Sequence, residues 1–432
     1  MRTIDLRGRQ LTAAELLAAV PRAEAARGLA LATAAEIVHD VASRGESSLR
    51  EQAARFDGVE GHAVRVPIEH LDEALDGLDP IVRAAIEESI RRVRLASAAQ
   101  VPPDRVTELG PGARVEQRWR PVRRVGVYVP GGKAVYPSSV VMNVVPAQIA
   151  GVTTVALASP PQRDHDGRVH PVILAAARLL GVSEVYAMGG AGAIGAFAYG
   201  VPAIGLDPVD VISGPGNNFV ALAKRVVAGV VGTDSEAGAT EILIVADETA
   251  DPELVAADLV SQAEHDEQAA AVLVTASPEL AASVAERAAE RASRTRHAER
   301  VAVALAGPQS AIVLVDDLAA ATAFSNAYAP EHLELHLADP RPDEFVNAGA
   351  VFVGAHTPVS LGDYLAGSNH VLPTGGQARY AAGLGAATFL RSQQVVSYDR
   401  EALREVHDGI VALSASEQLP AHGEAVSARF DA

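Results

Sequence analysis

A chain of 432 residues, 49% hydrophobic and 21% charged, is long enough for two or three domains with real cores. Its net charge of −18 argues against a nucleic-acid partner and against an anionic membrane, because both call for a basic surface. Cysteine is absent, which excludes disulfides, thiolate metal ligands and a cysteine nucleophile.

Aromatic residues are only 4%, and Ala and Val carry most of the apolar content, which points to α/β packing with small residues between helices and sheet. The start, MRTIDLRGRQ, has no apolar signal core. No run reaches the ~18 apolar residues of a membrane helix, so the expected location is cytoplasmic.

Residues 12–56 and 68–99 repeat apolar positions at helical spacing, and 1–120 is expected to be an N-terminal helical region. The pattern changes near 121. Buried strands are expected at 122–129, 154–159, 184–188 and 209–213, with helices at about 139–150, 172–181 and 193–200 and another opening from GPGNN at 214–218. A second series runs from EILIVAD (241–247) through a helix capped by Asp251 and Pro252, then strands at 271–275, 311–317 and 350–354. Strands alternating with helices at this spacing predict parallel sheets. The fold class is therefore α/β, with two doubly wound, incomplete Rossmann-like domains at 121–238 and 239–384. A helical C-terminal tail, 385–432, has no obvious core of its own.

Three glycine loops follow successive strands: YVPGGK (128–133), GGAGAIGAF (189–197) and GPGNN. Each offers free backbone N–H groups near a helix start and can cradle an anion or nucleotide. The second contains a dinucleotide fingerprint, Gly190, Gly192 and Gly195, with Asp207 or Asp210 as the acidic partner expected about 20 residues on. The same spacing also suits a plain strand-to-helix turn.

The polar motifs are more informative. APEHLELH (329–336) sets Glu331 beside His332, an acid–base pair. Gln262 and His265 lie three apart at a helix end and face one way. Asp363, His370, Glu417 and His422 follow in distant segments. Each alone also fits a solvated terminus or loop, and His336 reads as an outward strand residue. Gathered together, these N and O donors suit a zinc site with a general base beside it.

GDYLAGSNHVLPT (362–374), SQAEHD (261–266), APEHLE (329–334), GPGN (214–217) and the terminal E-x4-H resemble the motifs of the histidinol dehydrogenases, in order, from YVPGG at 128–132 to His422. The resemblance implies a zinc enzyme, with one Zn2+ per subunit, that oxidises L-histidinol to L-histidine in two NAD-dependent steps through a bound aldehyde, at the end of histidine biosynthesis. It implies Gln262, His265, Asp363 and His422 as metal ligands and Glu331 and His332 as the catalytic pair. His370, Glu417 and Thr240 would join the metal ligands and His332 in contacting substrate, and Tyr128 and Asn217 would contact NAD. Thr240 stands where the family often has Ser, and Gly192 where it often has Gln. The family is homodimeric, and its tail completes the partner's site.

The missing cysteine bears on the chemistry independently. An aldehyde gives no hydride until something adds to its carbonyl, so here the adduct is expected to be a hydrate made from water. Glu331 is expected to activate that water, and His332, which titrates near neutral pH, to take the alcohol proton. Two other classes stay open on the residues alone. A zinc hydrolase would use the Glu–His pair but not the glycine loops. A nucleotide- or sugar-phosphate-binding protein would use the loops but not the pair.

Overall fold

The computed structural model describes residues 1–22, 27–131, 135–235 and 238–431. The end of the YVPGGK loop, Gly132 and Lys133, lies outside them. The chain forms two compact units: 1–100 with 123–389, and 101–122 with 390–432.

The first unit holds two parallel sheets. One runs in the order Glu184–Ala187, Thr154–Ser159, Arg124–Tyr128, Val211–Ser213, Gly232–Thr233. By position in sequence this is 3-2-1-4-5, the order of a doubly wound sheet whose direction reverses between its first and fourth strands. The glycine loops after Tyr128 and Ser213 therefore flank that reversal. Gly214 has φ +118°, and a Cβ there would stand 2.0 Å from the carbonyl oxygen of Tyr128, so the two loops can approach only through a glycine. Beneath it, Lys224 and Asp234 form a fully buried ion pair. Lys224 Nζ also donates to Gly214 O at 2.6 Å, and Asp234 Oδ2 accepts from Gly214 N at 2.8 Å.

The second sheet runs Arg2–Asp5, Ala311–Leu314, Ala270–Thr275, Glu241–Ala246, His332–His336, Ala350–Val353. After its N-terminal edge strand the order is again 3-2-1-4-5, with the reversal between Glu241–Ala246 and His332–His336. These two strands are buried at every position, as expected of a parallel sheet covered on both faces. Helix Pro252–Ala263 starts as its sequence implies, with Asp251 accepting from Glu253 N–H and Pro252 in the first turn.

The strands expected between 121 and 354 are present, and the helices fall within a few residues of their expected bounds. Two further strands in that stretch, Gly232–Thr233 and His332–His336, stand outside the expected set, and the N-terminal region differs more. Residues 2–5, 105–110 and 113–121 are strands, not helices. The strand Arg2–Asp5 gains its partner only from Ala311–Leu314, far along the chain. Helix Arg27–Arg44 packs on helices Gly190–Tyr199 and Asn218–Val227 rather than standing apart. Gly195 allows this, since a Cβ there would come 3.1 Å from the Val38 backbone.

The second unit is an antiparallel sheet in the order Leu390–Tyr398, Ala113–Pro121, Arg105–Gly110, followed by helices Arg400–Ser416 and Pro420–Ser427. The tail thus begins with a nine-residue strand. Its alternation is mostly polar on both faces, which is why no strand pattern stands out in the sequence.

Candidate active site

Glu331 and His332 sit at the amino ends of strands in the second sheet, and one residue organises them. Glu241, the first residue of the neighbouring strand, donates its backbone N–H to Glu331 Oε2 at 2.8 Å. Its carbonyl oxygen lies 3.0 Å from His332 Nδ1. A carbonyl only accepts, so Nδ1 carries the proton and Nε2 holds the lone pair. Glu331 Oε2 also accepts from Thr240 Oγ1 at 2.6 Å. Both bonds land on Oε2, which leaves Oε1 to meet a water. Burial raises the Glu331 carboxyl above its ordinary range, against the opposing pull of His332 and the two hydrogen bonds.

A cavity of about 2270 Å3 runs from this pair to the glycine loops of the first sheet. His265, Asp363, His370 and Thr240 line it together with Glu331 and His332. Burial lowers the His265 imidazole, although Asp363 partly offsets it, so His265 is neutral near pH 7 and able to bind a metal. Gln262 is buried behind Thr240, to whose Oγ1 its amide donates at 2.6 Å, and it is not part of the cavity wall. His370 is likewise lowered by burial. Its Nδ1 donates to the Asp363 carbonyl at 3.0 Å, and its Nε2 lies 3.1 Å from Ser139 Oγ, so both ring nitrogens already have partners.

The far part of the cavity carries Tyr128 and Asn217. Tyr128 is buried, its hydroxyl accepts from Gly190 N at 3.1 Å, and burial pushes it up to about 12. Asn217 caps helix Asn218–Val227 through Oδ1, accepting from Phe219 and Val220, which leaves its Nδ2 group for a ligand. The dinucleotide fingerprint does not stand. Gly190, Gly192 and Gly195 lie inside helix Gly190–Tyr199. Asp210 holds the backbone N–H groups of Arg123 and Arg124 at the amino end of the sheet, away from the glycine loops. A Cβ on Gly192 would stand 2.0 Å from Gln52 Oε1, so another residue's amide already occupies that room.

Glu417 and His422 belong to the second unit, where both are exposed, on either side of the turn at Gln418. His336 is not an outward residue. It is 6% exposed. Among the described residues, the group of carboxylates and imidazole whose donor atoms all approach within 4.8 Å of one another is Asp258, Glu334 and His336, not the set expected from the sequence.

Glu241 and Arg22 were missed in the sequence. Arg22 Nε pairs with Glu241 Oε1 at 2.6 Å, its Nη2 donates to the Tyr328 carbonyl, and its guanidinium lies 4.0 Å from the centre of the Tyr328 ring. A charged residue opening an otherwise apolar strand, E-ILIVA, was the one available hint.

The family model for histidinol dehydrogenase matches residues 21–430. The chain is 64% identical over 433 residues to a histidinol dehydrogenase of Leifsonia xyli subsp. xyli, covering 100% of this chain and 99% of that one. It is 55% identical to one of Bifidobacterium longum, covering 100% and 93%. The crystal structure of histidinol dehydrogenase from Elizabethkingia anophelis superposes with a TM-score of 0.92 at 30% identity, covering 100% of this chain and 98% of that chain.

Proposed function

This chain belongs to the histidinol dehydrogenase family, and we propose that its Glu331–His332 pair carries out the two NAD-dependent oxidations from L-histidinol to L-histidine. The observation that carries this reading is Glu241 holding both residues by its backbone within one cavity that also contains His265 and Asp363. A zinc hydrolase is not supported, because the full-length likeness is to oxidoreductases.

His332 Nε2 takes the hydroxyl proton of the alcohol, while the Nδ1–H bond to Glu241 O holds the ring in that tautomer. NAD, when bound, accepts the hydride from the same carbon. Glu331 Oε1 then takes a proton from the water that adds to the aldehyde, and the hydrate gives up its second hydride with His332 again as base. The first oxidation releases one proton and two electrons; the second consumes a water and releases two electrons and two protons, leaving the carboxylate. The neutral imidazole of His265 and the Asp363 carboxylate, which share the cavity wall, suit a zinc ion, and on this reading they would hold it with the amide oxygen of Gln262, behind Thr240, and with His422. Zinc would supply a Lewis acid that holds and orients the nitrogen donors of the substrate. On this reading Thr240, His370 and Glu417 contact the substrate, and Tyr128 and Asn217 contact NAD. The test is NADH absorbance on adding histidinol, with and without a chelator. No signal with histidinol would defeat the reading.

Gly192→Gln is expected to leave the Michaelis constant for NAD unchanged or lower. A Cβ there first meets the end of Gln52, a flexible side chain, and the Gln52→Ala background removes that contact. A large rise in both backgrounds would mean that the turn itself must stay bare.

The tail is proposed to serve the partner of a homodimer. Its exposed His422 lies in a unit that also exposes Val396, Val406, Leu413 and Leu419. Mixing inactive Asp363→Ala and His422→Ala chains should then restore activity. Random re-pairing yields about half heterodimers, each with one intact site, or roughly a quarter of wild-type activity. Subunit exchange without recovery would place His422 in its own chain's site.

A further inference from the structure

The strand His332–His336 alternates faces, so Glu334 and His336 project to the side on which His332 stands. Helix Pro252–Ala263 brings Asp258 against them. His336 Nε2 lies 3.4 Å from Glu334 Oε2 and 3.9 Å from Asp258 Oδ2. The other oxygen of Glu334, Oε1, accepts from Val359 N–H at 2.7 Å, which aims Oε2 at the group. That is how a metal-binding carboxylate is usually oriented by its surroundings. None of the three lines the cavity of the proposed active site.

We propose that Asp258, Glu334 and His336 form a second site for a divalent transition-metal ion, tying helix Pro252–Ala263 to strand His332–His336. One imidazole and two carboxylates suit zinc or cobalt. Bonds of about 2.0–2.2 Å to such an ion require donors that all lie within 4.8 Å of one another to close in by up to about an ångström. Side-chain torsions supply a movement of that size. Glu334 and His336 are 1% and 6% exposed, and Asp258, which is half-buried, gives the ion its way in. Arg291, whose charge reaches Asp258, is held by Glu253 and is not itself a ligand. Burial and the facing Glu334 together push the Asp258 carboxyl up to about 7. The tie matters because the helix also carries Gln262 and the strand begins at His332, so the ion would fix the spacing of two residues of the active site.

The test is metal content of the full-length protein, stripped with chelator and dialysed against zinc. Glu334→Gln and Asp258→Asn should each hold one equivalent per chain less than wild type, or bind it at least about 100-fold more weakly, the upper end of what even an outer partner's loss costs. That difference does not depend on whether the cavity holds an ion of its own. Wild-type content in either folded variant overturns the proposal. Should both variants fail to fold, cobalt titration into a stripped His265→Ala/Asp363→Ala chain decides. A visible absorption band saturating at one equivalent supports the second site, and no band refutes it.

Discussion

His332→Asn is expected to slow both oxidations by about 10²–10⁴-fold, the usual cost of a lost general base. The asparagine can still donate to Glu241 O but has no basic nitrogen at the position of Nε2. Glu331→Gln should behave differently. It keeps an oxygen for the bonds from Thr240 and the Glu241 N–H but cannot take a proton from water. Oxidation of supplied histidinaldehyde should therefore fall by a similar factor, while oxidation of histidinol to the aldehyde falls much less.

The sign of the pH dependence follows from burial. Glu331 works as a base only when ionised, and burial raises its carboxyl, so aldehyde oxidation in wild type should rise with pH through a step above the ordinary carboxylate range. Glu331→Gln should lose that step. Stopped-flow NADH traces with each substrate separate the two reactions. Equal and small effects on both would end the division of labour.

Arg22→Met is the second large effect, and it acts without touching the reacting atoms. Glu241 is 3% exposed, and its side chain is held by Arg22 and by the N–H of Gly375. Removing the guanidinium leaves a buried carboxylate without its cation, which costs about 3–5 kcal/mol in comparable cases. Because Glu241 positions both Glu331 and His332, activity should fall with stability. Burial already raises the Glu241 carboxyl even beside Arg22, and losing Arg22 raises it further. A carboxyl raised in the folded state keeps its proton and is neutral at acid pH, so the variant's deficit is small there. The deficit grows as pH climbs through the raised value, where the folded chain must give up that proton. Denaturant unfolding at pH 5 and pH 8 measures it. Adding Glu241→Gln removes the charge and should restore most of the stability at pH 8. A deficit that is equal at both pH values would mean lost packing on Tyr328, not a stranded charge.

The alternation of strand and helix from 121 to 354 was legible because buried parallel strands are short apolar runs and each helix opens on its own cap, as Asp251 and Pro252 do. Glu331, His332, His265 and Asp363 were legible as polar motifs, and the absence of cysteine is what pointed to a water route. Residues 2–5 and 113–121 were not legible as strands because they pair with strands hundreds of residues away, and 105–110, which pairs with the adjacent 113–121, because its alternation is weak and it is almost wholly exposed.

The position of the site was decided by tertiary structure alone. Ligands of open α/β sheets are expected at the carboxyl ends of strands, and the first sheet obeys this with Tyr128 and its glycine loops. The proposed catalytic pair, Glu331 and His332, instead stands at the amino end of a strand of the second sheet, in one cavity with those loops. What holds it there is the backbone of Glu241, and a backbone N–H and carbonyl are the same for every residue type except proline. The pairing of Arg22 with Glu241, and the meeting of Asp258 with Glu334 and His336, likewise depend on how helices dock on the sheet. Spacing along the chain sets which face a side chain takes, but only packing sets what it meets.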